Sequence, residues 1–420
     1  MIDVIAIIFG LLLTFLCVVL IHELGHYLAA RLVGVQLETF SVGFGRPLWS
    51  RVSPTGVRWQ IAAVPVGGYV RFVGDENAAS LSSMPEGPVV PGSLRAASKT
   101  RQAIVVLAGP LANLILTFAL LSVVPLISGQ TAWPWVVDDL AISEDVAALR
   151  PGDQIIAVNG TAITEDMYPT DLAALVDGRE TTTYALRRDG IEMAITGPRP
   201  DVAVLAYVAP GTPAETAGLQ AGDRLLSIDG VPLPHWAALQ NTVAASEGRT
   251  LQIDADRDGQ FIAATLNPEL TGDRWLIGVS GAPLFTLVRE TPSLGAALSS
   301  GAAQTSDLLT GMVVGLSASA VGRGDPCALD GPVAIGAAAG QAIQLGPVVF
   351  LTFMAVISLG LGLLNLLPIP ILDGGHLLTL GVEAVTGRPM GKRVQAVLFI
   401  GGVTLLVFLM LTATINDLRC

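Results

Sequence analysis

The stretch "VVLIHELGHYLAARL", Val18 to Leu32, places two histidines and a glutamate at the end of a long apolar run. The chain has only four histidines among its 420 residues. In a helix, His22 and His26 are spaced i, i+4, so both imidazoles project from one face and can hold a single metal ion. Glu23 lies between them. An ordinary helix with a hydrogen-bonded polar pair would contain the same residues. The sequence around the motif is therefore needed to distinguish this interpretation from a metal site.

The composition indicates a membrane protein. Hydrophobic residues make up 51% of the chain, charged residues 14%, and the mean hydropathy is +0.62, which is too apolar for a soluble chain of this length. Four runs are long enough to cross a hydrocarbon core, which takes about 20 helical residues: Val4 to Ile21, Ala103 to Ile127, Val348 to Leu367, and Val394 to Thr414. An unpaired charge near the bilayer centre costs about 2.5 to 3.5 kcal/mol, so ionisable groups kept there indicate function.

Zinc is the metal that this donor pair favours. A catalytic zinc ion takes three protein ligands, accepts neutral imidazole, and leaves one position for water. Glu23 would be the general base that deprotonates this water. A third ligand is needed, and the third apolar run continues into "NLLPIPILDGGH", Asn365 to His376, whose only carboxylate is Asp373.

The charge distribution predicts the topology. Basic residues outnumber acidic ones between the first two spans, and Arg388, Lys392 and Arg393 lie between the last two, so both loops should be cytoplasmic. The region from Thr131 to Phe285 carries essentially the whole net charge of −12 and should lie on the periplasmic side, as should both termini. The first run lacks a basic n-region and a cleavage site, so it is expected to be a retained anchor. An acidic external region would repel phosphates, which excludes nucleic acid as a partner.

An internal repeat occupies the acidic region. "LRPGDQIIAVNG", Leu149 to Gly160, aligns without gaps with "LQAGDRLLSIDG", Leu219 to Gly230. Each copy has a Gly-Asp turn, an alternating strand, and an Asn-Gly or Asp-Gly pair typical of type I′ hairpin turns. The pattern resembles the PDZ domains of bacterial envelope proteases, and any other small β-rich domain is the alternative. PDZ domains bind extended segments by adding a strand to a sheet edge, but the ligand of these copies stays unknown.

Two motifs together resemble a known family. HExxH at the end of a first span, followed by Asn-x-x-Pro-x-Pro-x-Leu-Asp-Gly after the third, looks like the site-two protease family of intramembrane zinc metalloproteases. "AGPLAN", Ala108 to Asn113, and "LDGPVAIG", Leu329 to Gly336, extend the likeness over most of the chain. The tandem repeat favours the bacterial regulator of sigma-E protease type.

The resemblance implies roles for individual residues. His22, His26 and Asp373 would bind zinc, and Glu23 would be catalytic. Asn365, Pro368 and Pro370 match the substrate-binding segment of the family, with a helix C-cap as the alternative for Asn365. Two prolines end a helix and remove backbone donors, which is tolerated at membrane depth only beside a polar cavity.

Two histidines lie outside these roles. His376 is either an outer partner of Asp373 or an interfacial surface residue, and His235 is expected at the surface.

A strand-like segment, Gly56 to Gly74, lies in the cytoplasmic loop after the histidine motif. In the family, the matching segment is a membrane-associated β-hairpin. Its exposed edge, near Val64 and Val66, could pair with an unwound substrate helix by main-chain addition. The alternative is an ordinary hairpin packed on the cytoplasmic face of the membrane.

The predicted fold is a multi-pass α-helical membrane protein with four transmembrane helices, a membrane-associated β-hairpin and two periplasmic PDZ-like α/β domains. The expected divisions are the first two spans with the hairpin loop, the first PDZ-like domain, the second PDZ-like domain, periplasmic membrane-associated helices, and the last two spans: residues 1–130, 131–200, 201–285, 286–345 and 346–420. A fifth span within 293–345 is the competing possibility, against which Asp307 argues. Cys327 and Cys420 would both be periplasmic, where a disulfide is chemically allowed.

The expected function is intramembrane zinc endopeptidase in the bacterial inner membrane, with the active site opening toward the cytoplasmic side. The resemblance implies a single-span membrane protein substrate of the anti-sigma factor type, cut after a first periplasmic cleavage, with signal-peptide remnants as further substrates. The lipid bilayer is the other partner. One alternative is a catalytically idle scaffold that presents the PDZ-like modules to envelope partners. A zinc transporter is a weaker alternative, because it would need further polar metal-binding residues along the spans, and the four apolar runs contain no charged residue or histidine.

Overall fold

The computed structural model describes residues 2–74, 90–165, 167, 169–176, 178–271, 274–320, 331–388 and 390–419. The chain forms two compact units. One consists of Met1–Ser128 with Pro292–Leu418, and the other of Gly129–Thr291 with Arg419–Cys420. Cys327 and Cys420 lie outside the described residues, so their predicted pairing stays open.

The first unit begins with two long helices separated by a small sheet. Helix α1 spans Ile2–Val33 and α2 spans Lys99–Ser128, with strands β1 at Leu37–Val52 and β2 at Arg58–Phe72 and a 3₁₀ turn at Leu94–Ala96 between them. The helices are apolar along their lengths, and they pack directly on each other. Gly25 makes this approach possible, because a Cβ there would overlap the backbone of Ala108.

The predicted hairpin is a sheet of four segments. Residues Thr39 to Val42 of β1 pair antiparallel with Gly68 to Arg71 of β2 on one side. On the other side they pair with Arg58 to Ile61, where the residue numbers of both segments rise together. Gly43 and Gly45 have φ values of 86° and 88°, which only glycine adopts without strain, so β1 bends there. The segment Gly68 to Phe72 therefore forms one edge of this sheet.

The second unit contains two similar antiparallel modules. Its strands are β3 Gln130–Thr131, β4 Val137–Leu140, β5 Gln154–Val158, β6 Thr161–Ala162, β7 Thr181–Arg188, β8 Ile191–Pro198, β9 Leu205–Val208, β10 Arg224–Ile228, β11 Val231–Pro232, β12 Leu251–Arg257, β13 Gln260–Leu266, β14 Glu269–Thr271, β15 Arg274–Leu276, β16 Val279–Gly281, β17 Phe285–Leu287 and β18 Arg289–Glu290. Its short helices are α3 Glu144–Ala147, α4 Leu172–Leu175, α5 Pro213–Thr216 and α6 Trp236–Ala244, with a 3₁₀ turn at Pro169–Asp171. The two main sheets have the orders β6-β5-β7-β8 and β11-β10-β12-β13. The sequence repeat therefore corresponds to a structural repeat.

Equivalent ion pairs stabilise the two modules. The aspartate of each Gly-Asp turn is buried, and it accepts two hydrogen bonds from an arginine on the third strand of its sheet: Asp153 from Arg188, and Asp223 from Arg257. Both predicted hairpin turns have positive φ at both residues, 49° and 83° in the first and 50° and 77° in the second. These are the angles of type I′ turns.

The modules are not consecutive along the chain, which corrects the expected division into 131–200 and 201–285. Strand β17 pairs with β4, and Phe285 and Leu287 belong to the core of the first module together with Val137. The second module is thus inserted before the last strand of the first. A local repeat cannot reveal this pairing, because β17 and β4 are separated by the whole of the second module.

In the described part of the chain, the first unit contains five further helices: α7 Leu294–Ala320, α8 Pro332–Gln344, α9 Pro347–Asn365, α10 Asp373–Thr386 and α11 Lys392–Arg419. Helix α9 packs along α2, and α8 packs along α1. Among the described residues, four helices are long and apolar enough to cross a membrane: Ile7–Val33, Lys99–Ser128, Pro347–Asn365 and Arg393–Asp417. This confirms the prediction of four such helices, and α7 is not among them.

Candidate metal centre

Three buried side chains converge between α1 and α10. The Nε2 atoms of His22 and His26 lie 3.2 Å apart, and Oδ2 of Asp373 lies 3.2 Å from the first and 3.5 Å from the second. His22, His26 and Asp373 are 7%, 1% and 4% exposed. The i, i+4 spacing of the histidines puts both rings on one face of α1, as predicted.

The spacing of these atoms fits a zinc site. Tetrahedral zinc with Zn–N bonds of 2.0 to 2.1 Å separates its ligand atoms by about 3.3 Å. Two imidazole nitrogens and a carboxylate oxygen that face one another also need a cation or protons between them, because their lone pairs repel. Two imidazoles and one carboxylate are donors that zinc accepts, and they leave one of its four positions for water or substrate.

The turn before Asp373 places this ligand. Helix α9 ends at Asn365, and Pro368 and Pro370 follow in a segment without helical structure before α10 begins at Asp373. The chain folds back so tightly that a Cβ on Gly374 would overlap the carbonyl oxygens of residues 366 and 367, and one on Gly375 that of Ile369. The sequence Asp-Gly-Gly is therefore required by packing as well as by the carboxylate.

Helix α2 contributes no ligand, but it contacts both histidines. Nδ1 of His26 lies 2.8 Å from the carbonyl oxygen of Val105, and Nδ1 of His22 lies 3.4 Å from the side-chain amide of Asn113. Gly109 sits between these contacts, directly against both rings. The motif "AGPLAN" had indicated family likeness only, and these contacts give it a position in the site.

Glu23 faces the small sheet. Its Oε2 accepts a hydrogen bond from the backbone N–H of Val70, at 3.0 Å, on the edge segment of β2. Val64, which precedes this edge segment in β2 and pairs with Phe44 of β1, is 49% exposed. The side chain of Val66 lies outside the described residues. The part of β2 expected to bind substrate, near Val64 and Val66, therefore belongs to the same strand as the segment that contacts the candidate base.

The remaining predicted residues are placed as follows. Asn365 is the last residue of α9 and half-buried, but the C-cap is Leu366, so the C-cap interpretation of Asn365 is wrong. Nε2 of His376 is buried without a hydrogen-bond partner among the described residues, which does not fit a surface histidine. His235 is half-buried and caps α6, where its Nδ1 accepts from the N–H of Ala238.

Comparisons with known proteins agree with this geometry. The profile of Peptidase family M50 matches residues 10–409. The Regulator of sigma-E protease RseP of Escherichia coli is 35% identical, with 94% of this chain and 95% of that protein aligned. A Pasteurella multocida protein named "Putative zinc metalloprotease PM1991" is 34% identical over 95% of both chains, and a Regulator of sigma E protease of Haemophilus influenzae is 31% identical over 94% and 95%. The chain therefore belongs to Peptidase family M50, the site-2 protease family, and is a zinc metalloprotease.

Proposed function

We propose that the chain is an intramembrane endopeptidase in which His22, His26 and Asp373 bind zinc and Glu23 is the general base. The observation that carries this proposal is the convergence of three buried ligand atoms within 4.8 Å of one another, in a unit built around apolar helices. A carboxylate adjacent in sequence to the first ligand completes the set that metal-assisted hydrolysis needs.

The metal site and Glu23 would have different roles in peptide hydrolysis. When bound, zinc polarises the scissile carbonyl and makes its water easier to deprotonate. Glu23 would take a proton from the attacking water and pass it to the leaving amine nitrogen. Its hydrogen bond from Val70 holds one carboxylate oxygen, so the other is left to receive the proton.

We infer that substrate binds along the edge of β2 near Val64 and Val66. A transmembrane helix hides its peptide bonds in its own hydrogen bonds, and pairing with an exposed strand edge would compensate for those lost on unwinding. Asn365 ends α9, and Pro368 and Pro370 precede Asp373 in the segment that joins α9 to α10. The side-chain amide of Asn365 is suited to hydrogen-bond the substrate backbone. Edge and active site are linked through the Val70 to Glu23 contact.

We propose a single-span protein of the bacterial inner membrane as substrate. Two of the relatives are named regulators of sigma-E, which supports an anti-sigma factor that has already lost its periplasmic part. Signal-peptide remnants have the same single-span character. The two modules, which we assign as PDZ-like and periplasmic, would select substrates by what remains outside the membrane, while the active site opens toward the cytoplasm.

A catalytically idle scaffold is the competing function, and the intact ligands and base argue against it. The test is cleavage of a panel of purified single-span proteins in liposomes by the wild type and by Glu23→Gln, with bound zinc measured in both. We expect the wild type to cut within a span, and the variant to retain zinc without cutting. Equal cleavage by both would refute the base assignment. Zinc in both with no cleavage by either would favour the scaffold.

A further inference from the structure

Asn113 is a buried amide with one unsatisfied atom. Its side chain is 0% exposed, and its Oδ1 has no hydrogen-bond partner among the described residues. Its Nδ2 lies 3.4 Å from Nδ1 of His22. A buried polar atom without a partner destabilises the fold, so an amide in this position calls for a ligand or a different orientation.

The protonation pattern of the His22 ring determines how the side-chain amide of Asn113 must be oriented. Its Nε2 faces His26 and Asp373, so this nitrogen is the one presented to a metal. A neutral imidazole that offers the Nε2 lone pair carries its proton on Nδ1, and this N–H needs an acceptor. The oxygen and nitrogen of an amide have nearly the same shape, and rotating the amide by 180° brings Oδ1 to the ring N–H. The rotation gives Oδ1 the donor that it lacks.

The backbone of Asn113 is fixed by a neighbouring helix. Its carbonyl oxygen accepts hydrogen bonds from Oγ1 of Thr117, at 3.0 Å, and from Oγ of Ser358 on α9, at 2.9 Å. Gly362 on α9 also approaches closely, since a Cβ there would lie 3.2 Å from that of Asn113. The amide is thus held against His22 by packing on two sides.

The two histidines have matching arrangements. Nδ1 of His26 is held by the carbonyl oxygen of Val105, which lies about two turns before Asn113 in α2. A backbone carbonyl can only accept, so it selects the tautomer of His26 that presents Nε2 to the metal. An amide oxygen at position 113 would do the same for His22.

We propose that Asn113 is a positioning residue whose amide oxygen accepts a hydrogen bond from Nδ1–H of His22 and fixes the tautomer that presents Nε2 to zinc. The inference rests on the proposed assignment of His22 as a ligand. It makes α2, which supplies no ligand, the element that orients both imidazoles.

The test compares two substitutions of similar size in the full-length protein in detergent. Asn113→Asp keeps an acceptor at the ring, and Asn113→Leu removes it. Ser122→Ala is the matched control, because it deletes another buried polar group of α2. Among the described residues, the Ser122 hydroxyl donates its hydrogen bond to the carbonyl oxygen of Phe118 and does not hydrogen-bond to either histidine. Zinc affinity is measured by competition with a chelator, and the tautomer of His22 by NMR of histidine-selective ¹⁵N samples.

We expect Asn113→Leu to weaken zinc binding about 10- to 100-fold, and Asn113→Asp and Ser122→Ala to stay close to the wild type. In the zinc-loaded wild type, Nδ1 of His22 should be protonated. Wild-type affinity in Asn113→Leu, an equal loss in Asn113→Asp, or an unprotonated Nδ1 would overturn the inference. His22→Ala tests the ligand role of His22 separately from the positioning role of Asn113. If this variant binds zinc as the wild type does, the assignment of His22 as a ligand fails.

Discussion

Gly109 is the residue whose size the candidate metal centre tolerates least. A Cβ at this position would lie 2.8 Å from Cε1 of His22 and closer still to the ring of His26. Both rings are buried and hydrogen-bonded, so neither can move aside without leaving the ligand cluster. Helix α2, which packs against both candidate ligands, therefore needs a residue without a side chain at the point of contact.

Gly109→Ala should reduce zinc affinity at least about tenfold and abolish most cleavage, because overpacking displaces the two rings. Bound zinc per chain and cleavage of a single-span protein are the measurements. Gly360→Ala on α9 is the control, since a Cβ there meets nothing within 4 Å. Normal zinc content in Gly109→Ala would mean that α2 can shift away from α1.

His235 predicts a pH dependence of the second module. As the N-cap of α6 it must be neutral, because its Nδ1 accepts from the N–H of Ala238. Partial burial lowers the pKa of His235 below its ordinary value of 6.5, and Arg199 adds to this. The contribution to stability is complete above about pH 6.5 and is lost as the pH falls through the folded-state pKa.

His235→Asn keeps a cap that does not titrate in this range. We expect the wild type to lose more thermal stability than this variant between pH 7 and pH 5, measured on the full chain in detergent. Hydrogen exchange at the amide of Ala238 should follow the same difference. Identical pH profiles would show that the cap contributes nothing to the acid sensitivity.

At the scale of elements, the small sheet matters because its edge segment contacts the candidate base. The pairing of β1 with both halves of β2 leaves Gly68 to Phe72 at the edge, with the N–H of Val70 turned toward Glu23. A substrate strand added near Val64 would therefore extend the same sheet that contacts the candidate base, Glu23.

Val64→Pro should abolish cleavage while zinc stays bound, because proline removes a backbone donor and does not fit a paired strand. Val64→Ala is the matched control, since it shortens the side chain and keeps the N–H. Cleavage and zinc content are measured on the same preparations. Full activity in the proline variant would refute edge pairing at this position.

Helix α8 depends on a cap supplied by another helix. Oδ1 of Asp417, on α11, accepts from the N–H of Gly331, and Oδ2 accepts from those of Val333 and Ala334, over 2.7 to 3.2 Å. The cap residue of α8 is Gly331, which has no side chain to do this. The carboxylate also complements the positive end of the α8 dipole.

Asp417→Ala should cost about 1 to 2 kcal/mol of stability and speed hydrogen exchange at Val333 and Ala334. Asp417→Asn keeps an acceptor oxygen and should lose less. The measurements are thermal unfolding in detergent and amide exchange. Unchanged exchange at both amides would mean that water replaces the carboxylate without loss.

At the scale of the whole molecule, the number of spans and the charges between them set the orientation. Four helices could span a membrane, and an even number of spans returns the chain to its starting side. The basic residues at the connection between α10 and α11 favour the cytoplasm for this connection. On this basis we propose that the long region between the second and third of these helices faces the periplasm.

A phosphatase reporter fused after Cys420 should be active in the periplasm, and one inserted after Gly391 should be inactive. The expectation follows from the positive-inside rule applied to Arg388, Lys392 and Arg393. Activity of the two fusions in intact bacteria is the measurement, with expression level as the control. The reverse pattern would invert the topology and place the modules in the cytoplasm.

The sequence by itself determined the elements and the chemistry. Apolar runs of sufficient length predicted four candidate spans, because the bilayer thickness sets a helix length. The spacing of His22 and His26, together with the resemblance that added Asp373, predicted the residues that the structure brings together. The two Gly-Asp repeats predicted two similar modules. These features are local, so they can be recognised in a single stretch of chain.

Only the tertiary structure decided which distant groups meet. The contacts of Val105 and Asn113 with the histidines, the hydrogen bond from Val70 to Glu23, and the closure of the first module by β17 all join residues far apart in sequence. Periodicity and motif spacing constrain one element at a time. The partner of a buried polar group depends on how helices and strands pack, because close approach at residues such as Gly109 fixes which side chains share a site.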